Sequence, residues 1–208
     1  MTADEIEQLF TRSDGRYAFA RWGRPVAPVV FGVEDETLRT VKGAIEAVAR
    51  LTGRDVAETD PELGANFMVF FCRDWAELPG VPNLDRLIPD LGALVPRLEQ
   101  ADANQYRVFR FDERGAIRAC FVFLRMDAHL SEMPAETLAL SQVVQSALLW
   151  SDTAFRDRSP LAVTAGGATI LRPEIGALVQ AAYDPVMPDA ADDPAHALRL
   201  APRVERLR

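Results

Sequence analysis

Thr137-Leu-Ala-Leu-Ser-Gln-Val-Val-Gln-Ser-Ala-Leu-Leu-Trp-Ser151 places fifteen residues between Glu136 and Asp152 without one charged side chain. Pro134 stands where the first turn of a helix accepts proline, because an N–H there would have no partner in any case. The spacing predicts a long helix from near Pro134 to about Trp150. Fifteen residues are too few to cross a bilayer, which takes about 20. A helix with no charged face must instead be covered by protein on all sides. This segment is therefore expected to be a buried central helix, with the rest of the chain arranged around it.

The sequence just before it reads as a sheet. Tyr106-Arg-Val-Phe-Arg-Phe111 alternates, Asp112-Glu-Arg-Gly115 supplies a turn, and Ala116 to Arg125 continues as a second strand, so the two form a hairpin. Ala65 to Cys72 is a continuous apolar run of strand length, the pattern of a strand covered on both faces. Pro25-Val-Ala-Pro-Val-Val-Phe-Gly32 reads as a strand whose prolines hold it to an edge or a strand start. Asp35 is a candidate N-cap for a helix with Leu38, Val41, Ile45 and Val48 on one face, and Gly53 its C-terminal stop. Arg54 to Glu58 has the look of a short strand. Helices and strands do not alternate strictly, which favours α+β: a small twisted mixed sheet around the central helix.

One domain over residues 1–208 suits this length. Residues 1–23 form a helical appendage opened by a capping box at Thr2-Ala-Asp-Glu5. Residues 73–104, cut by Pro79, Pro82, Pro89 and Pro96, form a helical excursion. Residues 184–208 form an acidic loop and a C-terminal helix. A chain this long buries roughly 70% of its unfolded surface and needs no disulfide or metal to fold.

Composition excludes several functions. The formal charge of −8 argues against nucleic acid as a partner, because neutralising phosphates takes a basic face. Lys42 is the only lysine, so Schiff-base chemistry would rest on it alone. The acidic start Met1-Thr-Ala-Asp-Glu-Ile-Glu7 is no secretory leader and no membrane span is expected, so the expected compartment is the cytoplasm, or the periplasm if a leader has been removed. Cys72 and Cys120 read as two small buried residues; a disulfide between neighbouring strands is open to an exported chain.

The element order resembles the zincin-like fold of metallopeptidases, where a helix carrying His-Glu-x-x-His lies under a twisted sheet. On the central helix, Ser141-Gln142-Val143-Val144-Gln145 falls at that motif's spacing. Ser141 and Gln145 would stand in the two histidine positions and Gln142 in the glutamate position. The chemistry needs two imidazoles one helical turn apart to hold zinc, and a carboxylate to take a proton from the bound water. Neutral serine and glutamine do neither. Over roughly residues 30–190 the chain also resembles an uncharacterised bacterial family of degenerate zincin-like proteins, through Gly64-Ala-Asn-Phe-Met-Val-Phe-Phe71, Leu140-Ser-Gln-Val-Val-Gln-Ser-Ala147 and Ala182-Tyr-Asp-Pro-Val-Met-Pro188. The resemblance implies a non-enzymatic binding or structural protein, a pseudoenzyme with no catalytic residue, no metal and no cofactor.

The polar groups Ser141, Gln142, Gln145 and Ser146 are the candidate binding residues. They either bond to neighbouring backbone or line a cleft where a protein or peptide partner docks. An alternative is a metal-dependent hydrolase built on Asp127, His129 and Glu132, just after the hairpin. A second cation arrangement, His196 with Asp189, Asp192 and Asp193, has no recognised loop spacing, and a solvated acidic loop is the simpler expectation.

Overall fold

In the computed structural model, which describes residues 1–207, the chain opens with α1 (Ala3–Phe10), β1 (Phe19–Ala20), β2 (Pro28–Phe31), α2 (Asp35–Thr52) and β3 (Phe67–Cys72). A 3-10 turn at Trp75–Gly80 leads to α3 (Leu84–Leu87), α4 (Leu91–Gln100) and the hairpin β4 (Gln105–Phe111) and β5 (Ile117–Arg125). There follow α5 (Ala128–Glu132), α6 (Ala135–Ala147), β6 (Leu161–Val163), β7 (Thr169–Leu171), α7 (Pro173–Ala182), β8 (Ala190–Ala191) and α8 (Ala195–Leu207). The fold is mixed α+β, and among the described residues no helix is long and apolar enough to cross a membrane.

The main sheet has the order β2-β3-β5-β4, with β2, β3 and β5 parallel and β4 antiparallel at the far edge. Side chains alternate across a strand, so its two faces can enter two different cores. Phe67, Val69, Cys120, Val122 and Leu124 point to one side, into a cluster with residues of α1, α2, α6, α7 and α8. Phe70, Cys72, Phe121 and Phe123 point to the other, where Trp75, Leu84 and Leu94 of the 73–104 segment cover them. Burying each such aromatic or branched side chain contributes about 1.5–3 kcal/mol before the entropy of ordering it. On the second face one ring from each strand joins a ladder. Phe31 stacks on Phe70 at 4.7 Å, Phe70 on Phe123 at 4.9 Å, and Phe123 lies 6.4 Å from Tyr106.

Local chemistry sets the element ends. Thr2 and Glu5 close a reciprocal capping box on α1. Gly53 ends α2 with φ at 64°, the left-handed conformation that glycine adopts without a Cβ penalty. Gly32 follows β2 at φ 80°, where a Cβ would lie 2.1 Å from the Phe71 carbonyl oxygen, so no other residue fits. The hairpin turns where the sequence places it: Asp112 accepts from the N–H groups of Arg114 and Ala116, and Gly115 takes φ 81°.

Three details depart from the sequence reading. α6 stops at Ala147, because Leu148 turns extended to bridge Arg21 and the Leu149 N–H donates to the Ala20 carbonyl. Residues 54–58 form only a single bridge, Val26 to Val56. Glu34, not Asp35, is the N-cap of α2. Cys72 and Cys120 are buried and free, as the sequence reading has them; they lie on adjacent strands but five register positions apart and on opposite faces, which rules out the alternative of a bond between them.

Candidate functional site

α6 lies beneath the first face of the sheet, and helical rotation divides its four polar residues into two pairs. Gln142 and Ser146 turn inward and are 3% and 2% exposed. Ser141 and Gln145 share a partly exposed stripe with Thr137, so the helix is not covered on every side. The Gln145 amide donates to the Ser141 hydroxyl at 2.9 Å.

The inward pair meets a residue that sequence reasoning did not single out. β4 runs past α6, and its alternation sends Arg107 and Phe109 to the helix side. Arg107 Nε donates to Ser146 Oγ at 3.0 Å and an Nη donates to Gln142 Oε1 at 2.7 Å. The Gln142 amide nitrogen donates in turn to Gln105 Oε1 at 2.7 Å, and Ser146 Oγ donates to the Gln142 carbonyl at 2.8 Å. Each buried polar atom of the pair is thus satisfied, as burial demands. Arg107 itself is different. No carboxylate lies within ion-pair distance of it among the described residues. Removal from water lowers its pKa, yet arginine remains protonated at any physiological pH.

Beside this network an open cleft of about 440 Å³ is bordered by Arg107, Phe109, Gln145 and the 149–156 segment, with Arg12 from the α1–β1 connection. Ser151 holds that segment to the end of α1: its N–H donates to the Leu9 carbonyl at 2.8 Å and its hydroxyl to the Thr11 carbonyl at 2.7 Å. Trp150 stacks on Phe10 at 5.3 Å and meets Phe155 edge-on at 4.9 Å, which fixes the apolar wall. Asp152 also borders the cleft, but both its oxygens accept from Ser13, whose hydrogen bonds, helped by the Arg12 charge, hold its carboxyl below the usual range.

The network holds no nucleophile with a base. Ser146 has neither imidazole nor carboxylate to take its proton. Gln142 is neutral. Burial pushes the nearby Cys120 thiol up to about 12, with Arg107 and Ser146 opposing only in part, so no thiolate forms at neutral pH. A smaller, partly open apolar pocket of about 40 Å³ is lined by Trp22, Ile45, Phe67, Val143 and Tyr183, with Thr52, Arg54 and Asp55 at its rim.

The other candidates disperse. Asp127 caps α5 through the Leu130 N–H and accepts from Asn104, and these bonds lower its pKa. His129 and Glu132 are exposed on α5, and among the described residues no three His, Cys, Asp or Glu side chains are grouped to hold a metal. His196 does not face the acidic loop. It is 4% exposed, its Nδ1 lies 2.8 Å from the Tyr17 hydroxyl and its ring 4.2 Å from Phe19. Asp189 pairs with Arg21, and Asp193 accepts from the Ala195 N–H at the start of α8. No family model, curated protein or solved structure matches the chain.

Proposed function

We propose that the protein is a non-enzymatic binding protein on a metallopeptidase-like scaffold, with the cleft between α6, β4 and residues 149–156 as its docking site. One observation carries this reading. The helix face that a metallopeptidase would turn to its metal instead neighbours a permanent guanidinium, Arg107, seated on Gln142 and Ser146. A fixed positive charge there, with no carboxylate or imidazole within ion-pair or hydrogen-bond reach of it among the described residues, repels a divalent cation. The scaffold reading is supported by the arrangement the resemblance implies, a helix packed beneath one face of a small mixed sheet. The docking reading is supported by Gln145 of the outer pair and Arg107, which bonds to the inner pair, both bordering one open cleft.

Elemental analysis of the untagged protein, with a peptide-hydrolysis assay in added zinc, tests the reading. We expect no stoichiometric zinc and no zinc-dependent turnover. One tightly held zinc per chain overturns it.

A further inference from the structure

We propose that the cleft receives an organic oxyanion, a carboxylate or phosphate group on an apolar body, gripped by Arg107 with Arg12 and Arg156. The inference rests on the docking reading above and names its ligand class. Three arginines border this one cleft, and none has an ion-pair partner among the described residues. Other arginines, Arg54 and Arg97 among them, also lack one among the described residues; what sets these three apart is that they gather at one cleft with an apolar wall. Arg16, Arg21, Arg24, Arg50, Arg118, Arg125, Arg158 and Arg203 each have a carboxylate within ion-pair distance.

Arg107 is the anchor because it is held. Its Nε and one Nη are fixed by Ser146 and Gln142, both neutral acceptors, so the charge is oriented but not compensated. The other Nη makes no hydrogen bond to a described residue. A guanidinium offers a planar fork that matches an oxyanion's paired oxygens. Arg12 and Arg156 add two charges at the rim and Asp152 subtracts one, so the cleft carries 3 − 1 = 2 net positive charges. Asp152 keeps its negative charge, but its oxygens accept from Ser13 and lie beyond ion-pair distance of Arg107. Phe109, Leu149 and Phe155 supply a partly exposed apolar wall for the ligand's body. The volume of about 440 Å³ suits a small molecule or the end of a side chain.

The test uses the full chain and four probes, followed by titration calorimetry and by amide and guanidinium Nε–H shifts: phenyl phosphate, benzoate, inorganic phosphate and neutral benzyl alcohol. We expect phenyl phosphate to saturate one site, to bind at least tenfold more tightly than benzyl alcohol, and to weaken as salt is raised. Phenyl phosphate above benzoate assigns a phosphorylated ligand, and the reverse a carboxylate. Inorganic phosphate bound as well as phenyl phosphate overturns the apolar body. Arg107→Gln should weaken binding at least tenfold and Arg12→Gln less. Arg110→Gln, whose guanidinium lies on the other face of β4 and donates to the Leu87 carbonyl, should leave it unchanged. Unfolding midpoints confirm that each variant is folded. If neither anion binds, or both bind Arg107→Gln as well as the parent, the ligand class is wrong. Zinc content decides the docking reading separately, so the two failures are distinguishable.

Discussion

Two arginines in this molecule, the buried Arg21 and the half-buried Arg107, are held by the chain in opposite ways. Arg21 is 5% exposed and completed by protein. Its Nε donates to Asp189, its Nη1 to the Ala182 and Asp184 carbonyls and its Nη2 to the Met187 carbonyl, while its guanidinium lies 5.6 Å from the Tyr183 ring centre. It fastens the loop after α7 against β1 and β8. Of the acidic 184–193 segment, Asp192 and Asp193 stand in solvent, while Arg21 holds Asp189 and Arg199 and Arg203 of α8 bond to Val186 and Asp184. Arg107 has two neutral acceptors and no counter-charge. A cation whose partners are all supplied by the chain serves the fold, whereas one left electrically incomplete beside a cleft lowers stability unless something from outside completes it.

The largest test of this contrast is stability. Arg21→Gln should cost roughly 3–5 kcal/mol in urea unfolding, because it breaks a buried charge pair and orphans carbonyls. Arg107→Gln should change stability by about 1 kcal/mol or less and can raise it. Equal losses from the two substitutions would make Arg107 a second structural staple and break the contrast.

The Arg21 region also carries His196. Burial, then the charges of Arg199 and Arg21, push its pKa from 6.5 down to about 4. The unfolded chain then binds a proton that the folded chain refuses, so stability is intact above pH 6.5 and falls as pH drops towards 4. The loss should approach about 3 kcal/mol. His196→Gln should flatten the profile over that window in pH-dependent denaturation. A profile unchanged by the substitution would place the acid sensitivity elsewhere.

On the Arg107 side, Ser146→Ala should cost roughly 1–2 kcal/mol by stranding a guanidinium N–H. In the Arg107→Gln background the cost should shrink, and a double-mutant cycle reads the coupling. The smallest effect belongs to Gln145→Ala, within about 0.5 kcal/mol in stability, since that side chain stands on the half-exposed stripe. A large loss there would turn the stripe from a cleft wall into part of the core.

What the sequence made legible follows from distance along the chain. The hairpin with its Gly115 turn, the capping box at Thr2, the Gly53 stop and the uncharged helix all rest on neighbours within a few residues. The parallel pairing of β2, β3 and β5 joins segments separated by whole elements, and no local pattern encodes it. The site shows the same division. The polar positions of α6 stood out, but which pair would turn inward depended on where β4 crosses the helix. Arg107 carried one faint signal: alternation in Tyr106-Arg-Val-Phe-Arg-Phe111 puts an arginine on each face of the strand, so one of the two had to point into a covered layer. His196 went the other way, because its acidic neighbours suggested solvent while α8 rolled it inward.

The ring ladder from Phe31 to Tyr106 depends on a thin cover. Residues 73–104 shield it with a 3-10 turn and two helices, each of the longer pieces interrupted by a proline, Pro79 or Pro96. A nick in that flap would bare a sticky aromatic band reaching from one margin of the sheet to the other while the opposite layer stayed intact. Clouding of concentrated solutions on gentle warming would then track the hinges of a thirty-residue lid rather than the melting of the whole chain.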